Sequence, residues 1–139
     1  MDIFIKSYQN DFPWLYYCLA SIKKYVTGYD NVVLLLPEGS NVDFNPTIIP
    51  DNLIIHWVKE EGKGYLMQQY YKMKAYEYSK ADEIMFIDSD CIFSKKVNLK
   101  SINKSLMFTP YDKVGDAKCW KEPTEKYLEI GDIEYEFMR

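Results

Sequence analysis

Residues 1–110 predict an α/β fold with a mainly parallel central sheet flanked by helices, on three observations. Short apolar runs of strand length alternate with longer stretches whose apolar residues recur at three- and four-residue steps. The strand-like runs are apolar on both faces, as in sheets covered on each side. The last of them, Ile84-Met85-Phe86-Ile87, runs straight into Asp88-Ser89-Asp90 before apolar residues resume at Cys91-Ile92-Phe93.

The elements follow in order. Asp2-Ile3-Phe4-Ile5 is a first strand that turns polar at Lys6-Ser7-Tyr8. Asn10 or Asp11 then caps a helix, with Pro13 tolerated in its first turn. Over residues 14–26, Leu15, Cys18, Leu19, Ile22 and Val26 mark one apolar face, and Gly28 supplies a C-cap. Val32 to Leu36, closed by Pro37, is a second buried strand, 38–50 is a loop rich in Gly, Asn, Asp and Pro, and 53–58 is a third strand with His56 packed beside Trp57. Gly62-Lys63-Gly64 reads as a hinge into a helix over 65–79. Its arc of Leu66, Met67, Tyr70, Tyr71, Lys74 and Tyr78 is expected to pack on the sheet. Lys74 in that arc either reaches out at the edge or meets a buried carboxylate. Gln68 and Lys72, four apart on the other side, can act together. The fourth strand, read as buried in the middle of the sheet, ends at Asp88. A short helix near 99–103 and a strand at 106–109 follow, and 111–139 holds apolar anchors without a clear period.

Carboxyl edges of parallel sheets are where ligands bind, and positions two apart on a strand point the same way. Asp88 and Asp90 therefore face one ligand if the strand continues through them, or form a solvated turn, for which Asp-Ser-Asp is also suited. Two close carboxylates call for a compensating cation or hydrogen bonds. With no histidine near, they are hard oxygen ligands fitting Mn²⁺ or Mg²⁺, whose shell is completed by substrate phosphates and water. Crossovers of one hand bring Lys6, Ser7 and Tyr8 to the same edge.

Bulk properties narrow the class. The 139 residues, 47% hydrophobic and 27% charged, suit a globular domain. A net charge of −4 offers no electrostatic footprint for nucleic acid. Cys18, Cys91 and Cys119 are odd in number and lack a Cys-x-x-Cys pair, which argues against a disulfide framework and fits a reducing compartment. The single histidine, His56, removes His-rich zinc sites. No secretory signal or membrane-length apolar run is present, so a cytoplasmic location is expected. Gly62-Lys63-Gly64 matches neither a P-loop nor a dinucleotide fingerprint.

Three stretches together resemble nucleotide-sugar-dependent glycosyltransferases of the GT-A fold. Lys6-Ser7-Tyr8 with Asp11-Phe12 resembles the first nucleotide-contacting loop of a bacterial and viral subgroup. Gly64-Tyr65 with Gln68-Gln69-x-x-Lys72-Met73 is similar to its helix before the metal strand, and Ile87-Asp88-Ser89-Asp90-Cys91-Ile92-Phe93 to its metal motif. The resemblance covers about residues 2–95. It implies a Rossmann-like nucleotide-binding fold and a nucleotide-diphosphate sugar as donor (a UDP-sugar first), with a saccharide or other hydroxyl as acceptor. Asp90 would ligate the metal, and Asp88 would bind ribose or the metal through water. Ser7, Tyr8 and Asp11 would hold base and ribose, and Gln69 and Lys72 the sugar or its phosphates. Family members usually run longer, so 111–139 is expected to begin an incomplete acceptor-side region. An exposed apolar patch where the missing half would sit would favour self-association. Two rivals stay open: a non-catalytic nucleotide-binding or interaction protein, and a haloacid-dehalogenase-like phosphatase, which also places Asp-x-Asp after an apolar strand.

Overall fold

The computed structural model describes residues 1–62, 64–102, 108–110, 118–129, 131 and 135–137. The chain forms two compact units, Met1–Ile102 and Asn103–Arg139. In the first, β1 (Asp2–Lys6) leads through a 3₁₀ turn at Gln9–Asp11 into α1 (Phe12–Tyr25) and the short β2 (Val26–Thr27). Then come β3 (Val32–Pro37), β4 (Leu53–Val58), α2 (Gly64–Met73) with a 3₁₀ turn at Ala75–Glu77, β5 (Ile84–Phe86) and β6 (Val97–Asn98). The four longer parallel strands form one sheet in the order β4-β3-β1-β5, and β2 pairs with β6. The sequence-based expectation of an α/β unit with a parallel sheet holds.

Alternation along the central strands sorts the core into two layers. Ile3, Ile5, Val32, Leu34 and Leu36 face α1, packing on Leu15, Cys18, Leu19 and Ile22. Phe4, Val33 and Leu35 face the other way and pack with Val58, Tyr71 and Ala75. The helix periodicity of residues 15–26 and the both-faces-apolar character of β1 and β3 are the same fact seen from two elements. Each leucine so buried contributes about 1.5–3 kcal/mol.

Several expectations need correction. β5 is an edge strand, bonded to β1 alone among the described residues, and Phe86 is exposed with its ring edge-on to Phe4. An apolar run does not separate centre from edge when a neighbouring strand and a loop cover part of it. The helix expected over 65–79 stops at Met73, and the tighter turn that follows delivers Ser79 to Asp2, whose carboxylate accepts its hydroxyl at 2.6 Å. On α2, Tyr71 is buried, but Leu66 and Tyr70 are exposed rather than packed on the sheet. Lys74 lies at the edge, over the Tyr70 ring and 3.1 Å from Glu77, and hydrogen bonding first with Tyr70 and then with Glu77 holds its ammonium above the usual lysine range. His56 is the packed strand residue expected, edge-on to Tyr78.

Gly28 is not the helix C-cap. α1 ends on Val26 in extended conformation, and Gly28 (φ +82°) instead turns the chain beyond β2, where a Cβ would collide with the Asn98 side chain. Gly28→Ala combines that collision with a left-handed backbone, so a loss of about 2 kcal/mol is expected in urea denaturation.

The second unit contains β7 (Phe108–Pro110) antiparallel to β8 (Tyr135–Phe137), and α3 (Lys118–Leu128), which carries a Lys121–Glu125 pair four residues apart. The strand expected at 106–109 corresponds to β7, while Leu106 and Met107, like Lys63 and Asn103, lie outside the described residues. Pro123 inside α3, the low apolar content of that helix and the shortness of β8 hid both elements from the sequence reading. No helix among the described residues is long and apolar enough to cross a membrane.

Candidate functional site

Counted in chain order, the four parallel strands of the main sheet lie third, second, first, fourth. The order reverses between β1 and β5. Chains leaving the two strands there diverge and open a crevice at the carboxyl edge. The segment after β1 brings Tyr8 and Asp11 to it, and the segment after β5 brings Asp88, Ser89 and Asp90. With Gln68 from α2 these six residues line one cleft of about 160 Å³.

Asp88 and Asp90 do not sit on a continuing strand. The Ile87 N–H donates to the Phe4 carbonyl at 3.0 Å, and then the Cys91 N–H donates to the Asp88 carbonyl at 3.0 Å, closing a turn over residues 88–91. The turn reading is therefore right about the backbone, yet both carboxylates still line the cleft. Two α1 residues brace this loop: Cys18, read from the sequence only as core, and Ser21, which the sequence reading did not single out. The Ser21 hydroxyl accepts the Phe93 N–H at 3.0 Å and donates to the Cys18 carbonyl at 2.7 Å, and the Cys18 thiol points at the Asp88 carbonyl from 3.9 Å. Burial first, then the neighbouring Cys91 and the two aspartates, pushes the Cys18 thiol up to about 12, so it stays a neutral brace.

Asp88 is held from α2. Its Oδ1 accepts from Gln68 Nε2 at 3.0 Å and from Lys72 Nζ at 2.7 Å. The four-residue spacing that let Gln68 and Lys72 act together thus has a target. Gln69, the residue implied by the resemblance, is half-buried on α2 and is not among the cleft-lining residues. Across the cleft the Tyr8 phenol is raised above its usual range, mainly by the Asp11 carboxylate, then by burial and Asp90. It stays protonated and able to donate at any neutral pH. Asp11 occupies the N-cap position of α1 without making a side-chain cap bond, contrary to expectation, and is turned into the cleft instead.

Lys6 does not join the aspartates. It shares the sheet face of Phe4, so its side chain runs to the α2 side, where Nζ bonds Glu60 Oε1 and the Ser7 carbonyl and lies 5.8 Å from the Tyr71 ring. Ser7 is fully buried behind Tyr8, its Oγ without a partner among the described residues. A second cleft of about 240 Å³ shares Tyr8 as a wall and adds Gln9, Asn10, Glu38 and Glu60 from the ends of β3 and β4.

The carboxylates of Asp88 and Asp90 are oxygen donors of the type that hard divalent ions take. Two exposed carboxylates share one cleft, and no cluster of three or more His, Cys, Asp or Glu side chains placed to hold a metal occurs among the described residues. An ion bound by two protein carboxylates takes its remaining ligands from substrate phosphate and water, which is how Mg²⁺-type ions are usually held. No protein-family model matches the chain, and no curated protein matches it in sequence.

Proposed function

We propose that this chain binds a nucleotide-diphosphate sugar together with Mn²⁺ or Mg²⁺ and, as a glycosyltransferase of GT-A type, passes the sugar to an acceptor hydroxyl. The observation that carries the reading is the cleft at the point where strand order reverses, lined by Asp88, Asp90, Tyr8 and Asp11. Asp90 and Asp88 would hold the ion, which would supply neutralisation of the diphosphate leaving group. Tyr8 offers a phenolic donor and Asp11 an acceptor suited to ribose hydroxyls, while Ser7 backs Tyr8 from the core. Lys72 and Gln68 stand on the diphosphate side, with Gln69 one position further along α2.

The test is release of nucleotide from a panel of UDP- and GDP-sugars with Mn²⁺, with and without simple saccharide acceptors. Metal-dependent release from one donor class is expected. Release of phosphate from phosphate monoesters, with no nucleotide released from any sugar donor, would favour the phosphatase reading instead.

A second reading, an interaction protein retaining the cleft, draws support from α2. Tyr65, Leu66, Tyr70 and Met73 are all exposed on this one short helix. Such a patch favours association with a second copy, and sedimentation velocity of the Leu66→Gln, Met73→Gln chain against the parent tests it.

A further inference from the structure

We infer that Lys72 is an internal counter-cation, holding Asp88 while no metal is bound and passing to the diphosphate when the metal arrives, so that metal and diphosphate bind cooperatively. This rests on the donor-site reading above. Lys72 Nζ lies 2.7 Å from Asp88 Oδ1, and Gln68 Nε2 adds a second bond to the same oxygen. The atom is thus already satisfied. A divalent ion taking up the Asp88 carboxylate would meet an ammonium at bonding distance, and like charges that close repel.

Metal alone must therefore evict Lys72 into solvent. With a diphosphate on the same ion, the displaced ammonium finds a new anion without leaving the cleft. Lysine suits that transfer, being a point charge on a flexible four-carbon stem. Its side chain is 21% exposed against 52% for Asp88, so the pair lies at a partly open position from which a flexible stem can turn once the carboxylate is taken. Coupling of this kind is reciprocal: the diphosphate must tighten the metal by the factor that the metal tightens the diphosphate.

The experiment titrates Mn²⁺ alone, followed by the free-ion EPR signal, and then UDP and GDP at saturating Mn²⁺. It compares the parent with Lys72→Met, which keeps stem length and loses charge, and with Lys72→Arg, which keeps charge. Lys72→Met is expected to bind Mn²⁺ alone about fivefold tighter, as removal of a partly exposed ion-pair competitor implies. It is also expected to bind the nucleotide about tenfold more weakly, the cost of one charge-assisted contact. Lys72→Arg should keep parental coupling. Unchanged or weaker Mn²⁺ binding in Lys72→Met overturns the inference. Asp90→Ala run alongside separates the two levels. If it binds Mn²⁺ as the parent does, the donor-site reading fails and the inference with it. If only Asp90→Ala loses the metal while Lys72→Met matches the parent, the inference alone fails.

Discussion

Glu60→Ala is expected to lower the unfolding free energy by about 3 kcal/mol, far more than a substitution at a partly exposed position normally costs. The reason lies in its partner. Lys6 is only 1% exposed, at the end of a fully buried strand, and Glu60 is the carboxylate that neutralises it, itself 26% exposed. Removing Glu60 leaves the ammonium buried, with the Ser7 carbonyl and the Tyr71 ring as its remaining partners among the described residues. Uncompensated buried charge is the expensive outcome, whereas exchanging the whole pair for apolar or neutral groups is often neutral or stabilising. Lys6→Met combined with Glu60→Gln should therefore recover most of the loss. Urea denaturation of the three chains checks both statements. A cost near 0.5 kcal/mol for Glu60→Ala, the range of ordinary surface changes, would show that Lys6 is not held as described.

That pair also marks how far the sequence could be read. Both-faces-apolar strands and the three-four spacing of residues 15–26 led to the parallel sheet and to α1, because burial on two sides leaves a simple pattern. The destination of Lys6 was hidden: alternation turns Lys6 and Ser7 to opposite faces, and Tyr8 already lies beyond the end of β1. Edge and centre were confused at β5 because apolar content reports burial, not the number of hydrogen-bonded neighbours. The Asp88–Asp90 pair was legible as a carboxylate cluster, but its turn depends on the Cys91 N–H and on bracing by Ser21, contacts more than 60 residues apart in the second case. Gln68 was visible as the partner of Lys72 in helical spacing and as part of the resemblance on α2, but was given no contact of its own. In the second unit α3 was hidden by Pro123 in its interior and by its low apolar content, and β8 by its three-residue length.

The second large effect concerns Asp90. Among the described residues no protein group donates to its carboxylate, while Asp88 is already engaged by Gln68 and Lys72. Asp90 is thus the carboxylate best placed to take a cation outright, and Asp88 the one shared with α2. Asp90→Ala is expected to weaken metal-dependent nucleotide binding by about a hundredfold or more, beyond the effect of losing an outer partner of a metal ligand. Its stability should change little, because the side chain is exposed and outside both core clusters. The measurement that tests the whole account most directly is calorimetric titration of UDP and GDP into the parent and into Asp90→Ala, each with and without Mn²⁺. The expected result is heat of binding for one nucleotide in the parent with Mn²⁺ only, and none in the variant. Equal binding in parent and variant, or no binding of either nucleotide with Mn²⁺ present, would contradict it and leave residues 88–91 a surface turn.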